Sequence, residues 1–389
     1  MTEWGEYLRN AIEASDVTAV SRLKQEGPKG EDAWSVHLSL FPAVQRVLNP
    51  PFINPHLPKM YAVCRELLPY METDDIPALL FMETMEYARR TKLEKHPQPA
   101  LGQTAGWTAD NRAVLFSDAE QAIRSRDVEG TASLFAALLR QQGGREFARR
   151  LLLLGSGYLH ESLGHSISCT AFILQEMLGR QNEDLWPALL LLADYFIKGG
   201  FATTPSLREP PPALEEALPD FILRSTTGSS FIDIHHTITL YAIERARHLF
   251  SRPEYAHLVA SWLDWMGEKK SHEVFTRAPN RRAIPGYGLF YEAFSALDTQ
   301  AVLKMVIPLV ASSEGRKLLG RFLIKGLCDP YQGEYDPHYV TGLGATLWVV
   351  GQYPDQLSLV SNALRQYLAF LFRGFASPLS RGKATPAGG

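Results

Sequence analysis

The chain is short of several things, and each shortage removes a class of protein. It has three cysteines in 389 residues, Cys64, Cys169 and Cys328. They are too few and too scattered for a disulfide framework or a cysteine-based zinc site. Neither sign of charge is in excess: 39 basic and 42 acidic residues leave −3, whereas a nucleic-acid binder usually carries a basic surplus. Long apolar runs are missing too. The longest are Leu151–Leu154 and Leu185–Ile197, the second broken by Asp194, and a membrane span needs about 20 residues. Met1–Glu6 is acidic and polar, unlike the basic start and apolar core of a secretory signal. There is no P-loop, nucleophile elbow or G-x-G-x-x-G, and Gly155-Ser156-Gly157 has no fingerprint around it. These absences predict a cytoplasmic protein that meets neither nucleic acid nor membrane. Its partner is then expected to be a small molecule; the oligomeric state stays open.

What is present is ordinary globular material, 46% hydrophobic and 21% charged, which excludes a mostly disordered chain. Apolar residues recur at three- and four-residue spacing in 60–71, 118–125, 131–154, 184–198, 236–250, 300–310 and 342–350, the period of helices. Ser117-Asp118-Ala119-Glu120 has capping-box spacing, and Ser15 and Asp127 are expected N-caps. Ala11-Ile12 before Asp16-Val17 echoes Ala122-Ile123 before Asp127-Val128; both read as a helical hairpin, with no fixed short period for a solenoid. His96–Arg112, Gly199–Pro212 and Phe275–Gly288 read as loops. Phe231–Ile238 has strand-like composition, but its continuation through Arg247 assigns it to a helix. Length alone predicts between two and three domains at ~150 residues each. The pattern predicts an all-α fold: one large multi-helix bundle over 1–376, with an N-terminal helical lobe as a variant, and a frayed tail over 377–389.

The chemistry rests on histidine. His160-Glu161-Ser162-Leu163-Gly164-His165 is one residue too long for a zinc-protease motif; on a continuous helix its histidines would stand about 140° apart. His56, in Asn54-Pro55-His56, and His338, in Asp336-Pro337-His338, share a local design: a capping residue, a first-turn proline, then histidine. The helix dipole disfavours an imidazolium there and favours the neutral, metal-binding ring. His160 and His236 follow or enter apolar helices, where a buried imidazole needs a partner for each nitrogen. The plainer alternatives are a surface histidine at a helix start and a hydrogen-bonded core histidine within one. His37, His96, His248, His257 and His272 carry only such plain readings.

Four islands in order resemble the questin oxidase-like family, named for an enzyme that opens an anthraquinone ring: Asn54–Met60 around His56-Leu57-Pro58; Gly157-Tyr158-Leu159-His160; His236-Thr237-Ile238-Thr239; and Asp336–Val340 around His338. The resemblance implies an all-α fold and a non-haem iron held by four histidines and a carboxylated lysine. Carried over, the histidines are His56, His160, His236 and His338, with His235 an alternative to His236, and His165 and Glu161 lesser candidates. The family's lysine position, three residues after the last histidine, holds Thr341 here, and threonine cannot form a carbamate. Four neutral imidazoles with no anion should hold Fe(III) less well, which points to Fe(II), Zn or Ni instead. Activity implied by the resemblance is oxygenation of a quinone-like or aromatic polyketide substrate, ring-cleaving or of Baeyer–Villiger type, with NADPH as a family-implied reductant. Phe52, Tyr158, Phe231 and Tyr339 could line a cavity or simply be core. The rival readings are a divergent helical protein that binds a metal or small ligand without oxygenation, and a helical scaffold with incidental histidines.

Overall fold

A computed structural model describes residues 2–27, 33–96, 114–180, 184–209, 213–269 and 286–376. The expected loop beyond His96, the triple proline 210–212, most of Phe275–Gly288, His272 and the tail 377–389 lie outside the described residues. Among those described, helices are the regular elements, with isolated bridges Val47–Lys92 and Asn49–Phe52 in place of any strand. The all-α expectation holds, including the strand-like segment, which is part of the helix Phe231–Ala246.

The chain divides into two compact units. The first comprises Met1–Arg65, Glu83–Leu214 and Thr239–Gly267, and the second Glu66–Met82, Glu215–Ile238 and Glu268–Gly389. In the first, the helix Trp186–Gly199 packs on Val128–Gln142, and Gly144–Gly155 packs on His165–Leu178. Gly155 permits that second contact, because a Cβ there would sit 2.6 Å from the Ser166 carbonyl oxygen. The Ser166 hydroxyl donates to the Gly155 carbonyl across the same contact at 2.7 Å. Leu190, Leu191 and Leu192 of Trp186–Gly199 are buried, each contributing roughly 1.5–3 kcal/mol. In the second unit, His338–Gln352 packs on Leu357–Ala376 and on Ser313–Cys328.

One hairpin recurs three times. Ser15, Arg126 and Leu297 adopt left-handed φ of 56°, 59° and 58°. The next residue, Asp16, Asp127 or Asp298, sends its N–H back to Ala11, Ala122 or Ala293. Its carboxylate then caps the following helix by accepting from Ala19, Gly130 or Ala301 at 2.9–3.0 Å. The Asp127 cap is as expected. Ser15 is not the N-cap but the left-handed residue that ends the helix before it; Asp16 is the cap because a carboxylate is a stronger acceptor than a hydroxyl. The capping box at Ser117 is likewise displaced. The helix starts at Phe116, and Asp118 accepts from the Leu115 N–H at 2.9 Å, while Glu120 binds Thr204.

Candidate metal centre

Three helices begin on a histidine: His56–Leu67, His165–Leu178 and His338–Gln352. A first-turn residue has no intrahelical partner for its N–H, so the preceding residues must shape the start. Before His338, Asp336 takes both the His338 backbone N–H at 2.9 Å and its Nδ1 at 2.5 Å. Before His165, Leu163 and Gly164 turn the chain with φ of 51° and 76°. A side chain at 164 would also collide with Thr239 and Trp265. All three histidines are buried, at 2–3% exposure. Each offers one ring nitrogen as a possible metal ligand, and within the first unit the Nε2 atoms of His56 and His165 face each other at 2.8 Å. Buried histidines that could hold a metal ion are therefore present.

Proton placement decides whether such rings can be ligands, because a ring nitrogen that carries hydrogen has no lone pair to give. His165 Nδ1 lies 2.6 Å from the Ser162 carbonyl oxygen. His235 Nδ1 lies 2.6 Å from the Phe231 carbonyl oxygen. His338 Nδ1 faces the Asp336 carboxylate. Oxygens of these kinds only accept, so each Nδ1 is the N–H, and each Nε2 keeps a lone pair that can accept a hydrogen bond, a second proton or a metal. An oxygen on the far nitrogen is the usual support of a metal-bound histidine. His56 differs. The Asn49 Nδ2 donates to its Nδ1 at 3.0 Å, which puts its proton on Nε2, and Nε2 faces His165 Nε2 at 2.8 Å. An N–H···N hydrogen bond occupies that gap. Turning the Asn49 amide end for end presents its oxygen to His56 Nδ1 instead, and both Nε2 atoms then carry lone pairs that require a cation.

The other sequence candidates fall elsewhere. His160 is exposed, with Nε2 3.6 Å from Asp264. Glu161 is exposed as well. His236 is buried, but its Nδ1 accepts from the Lys269 ammonium at 2.9 Å, so its Nε2 is a donor rather than a ligand. Burial first, then the Lys269 charge, lowers the His236 pKa to about 3, with Asp233 opposing. His235 is packed against His338, ring centroids 4.4 Å apart. Burial raises the Asp336 carboxyl, but attraction to His338 and hydrogen bonds from it prevail and hold the pKa at about 2. Thr341 is fully buried, and its hydroxyl has no hydrogen-bond partner among the described residues.

Of the four aromatic candidates, Phe52 is 59% exposed and edge-on to His56, and Phe231 is 41% exposed against His235 and His338. Neither is core. Tyr158 has a structural task, its hydroxyl accepting from Ala202 and Thr203. Tyr339 packs on Phe370 and Phe375. The plain histidines serve the fold: His37 pairs with Glu83, and His257 joins Ser156 to the Arg208 N–H.

Two residues beyond the sequence candidates matter here. Asn49 sets the His56 proton. Lys59, one helical turn after His56, is fully buried. Its charge pulls against the burial that pushes the Cys169 thiol up to about 11, and Cys169 stands one turn after His165. The sequence signal for Lys59 is its place three residues after His56 in an apolar stretch. No family model matches the chain, and no curated protein or solved structure does.

Proposed function

We propose that the protein is a cytoplasmic, metal-dependent oxidoreductase of questin oxidase-like type acting on a small apolar or aromatic molecule. The observation that carries this reading is that the Nδ1–H of His165 and of His338 is held by oxygen, the usual support of a metal-bound histidine. The ligand histidines of this reading are His165, His338 and, with its proton on Nδ1, His56; they take iron first, with zinc or nickel as rivals, since imidazole suits all three. When bound, iron would supply Lewis-acid and redox chemistry for dioxygen or a substrate oxygen.

The chain's own residues do the remainder. Ser162 and Asp336 fix the ring orientations of His165 and His338. Asp336 adds negative charge behind His338. Phe52 and Phe231 offer exposed aromatic faces beside His56 and His338, which suit an aromatic substrate. Lys269 keeps the His236 proton on Nε2, a hydrogen-bond donor for a substrate oxygen. NADPH, if used, does not bind through a dinucleotide fingerprint, because the chain has none.

A second reading, a metal- or small-ligand-binding protein without oxygenation, is favoured by one residue, Thr341 at the family's lysine position. Oxygen uptake by iron-loaded protein over an anthraquinone panel separates the two. Uptake that needs both protein and substrate, and is lost in His338→Ala, supports the first. Metal bound with no uptake supports the second, and failure to bind any first-row metal overturns the first.

A further inference from the structure

A cavity of about 910 Å³ lies in the first unit, and neither His56 nor His165 lines it. Ligand sites commonly have volumes of this order. Four arginines from separate stretches face it, Arg9, Arg46, Arg65 and Arg180, with Trp186 and Leu190 on an apolar wall. Acids are present as well: Glu13, Glu94 and Asp184 line the cavity, and Glu13 is engaged by Lys95 at 3.3 Å.

The two arginines nearest the core are held in place from behind. Arg65 and Arg180 both reach Glu176, at 3.0 and 3.5 Å. Glu176 is fully buried, so two guanidinium groups share one carboxylate. Arg180 also donates to the Tyr61 hydroxyl at 2.7 Å and lies 4.8 Å over the Phe41 ring. Tyr61 in turn stacks on His37 at 4.3 Å, and His37 is tied to Glu83 at 2.8 Å. The Trp186 indole is fixed by its N–H donating to the His96 carbonyl at 3.0 Å. Groups ordered before a ligand arrives cost less to order when it binds.

We infer that this cavity is a second binding site, for a small organic oxyanion with an apolar body, a carboxylate or a phosphate ester. The planar guanidinium fork matches either oxyanion in two-pronged fashion. Trp186 and Leu190 cover the apolar body. The site is independent of the proposed metal chemistry.

Calorimetric titration of the full chain with benzoate, phenyl phosphate, benzamide and inorganic phosphate tests it. Benzoate or phenyl phosphate is expected to bind, and the stronger of the two identifies the oxyanion. Benzamide lacks the charge and inorganic phosphate lacks the body, so each is expected to be about tenfold weaker, the equivalent of one charge-assisted hydrogen bond. Arg180→Gln should cost about tenfold or more. Arg46→Gln, which leaves the Glu176 cluster intact, should weaken binding severalfold, and Leu38→Trp should block it by filling space. Binding that persists in His165→Ala separates this site from the metal centre. Equal binding of benzamide, binding unchanged in both Arg46→Gln and Leu38→Trp, or no binding of either organic anion overturns the inference.

Discussion

Each unit holds a pair of buried histidines, and the two pairs are set differently. In the first unit, His56 and His165 meet Nε2 to Nε2 at 2.8 Å with one proton between them. In the second, His235 and His338 pack ring against ring while their Nδ1 atoms donate to oxygens. In the second pair each Nε2 therefore keeps its lone pair. In the first, His56 gains a lone pair at Nε2 on rotation of one side-chain amide, Asn49. The group behind the ring thus decides which nitrogen carries the proton. The turns after these histidines differ in a parallel way: Lys59 follows His56 and Thr341 follows His338, so only the first carries an amine.

The most severe test of this comparison is His165→Ala against His160→Ala. The first is expected to abolish stoichiometric metal binding and the second to leave it unchanged, as read by metal analysis of untagged protein. Next in size is Asp336→Asn, which keeps an acceptor near the His338 backbone N–H but removes the charge behind its ring. Metal affinity should fall about 10- to 100-fold, measured by competition with a chelator. Asn49→Asp sharpens the contrast from the other side. A carboxylate can only accept, so it holds the His56 proton on Nδ1 and makes the first pair resemble the second. Metal should bind about tenfold tighter, and unchanged affinity would break the account of Asn49. The smallest effect concerns pH. The His236 pKa is depressed from its ordinary value near 6.5 to about 3. The unfolded chain therefore binds a proton between those limits that the folded chain does not. Stability from this group is full above pH 6.5 and lost as pH falls toward 3, by at most about 1.4 kcal/mol per pH unit. Thermal unfolding from pH 7 to pH 4 should show a shallower decline in His236→Asn than in the parent.

Much of this was legible in the sequence, for local reasons. Helical periodicity predicts the all-α fold, and the Pro-His pairs after Asn54 and Asp336 mark two of the three helix-start histidines. His165 carries no such mark in the sequence, since no proline precedes it. Its helix start is made by left-handed Leu163 and Gly164, which sequence spacing does not display. The helical-wheel comparison of His160 with His165 fails for the same reason, since helix does not run through that turn. The resemblance places a lysine one turn after the last histidine, where Thr341 stands, whereas the buried Lys59 stands one turn after His56. The third copy of the Asp-capped hairpin, at Asp298, is less plain in sequence because Phe294 stands where the other two have isoleucine.

The central proposal is that the buried helix-start histidines, His56 and His338 among them, hold metal. Metal content of the untagged chain, measured beside His56→Ala and His338→Ala, tests it most directly. The account predicts a stoichiometric first-row metal in the parent and its loss from both variants, with the fold intact by circular dichroism. No metal in the parent after loading, or metal retained in both variants, would contradict it.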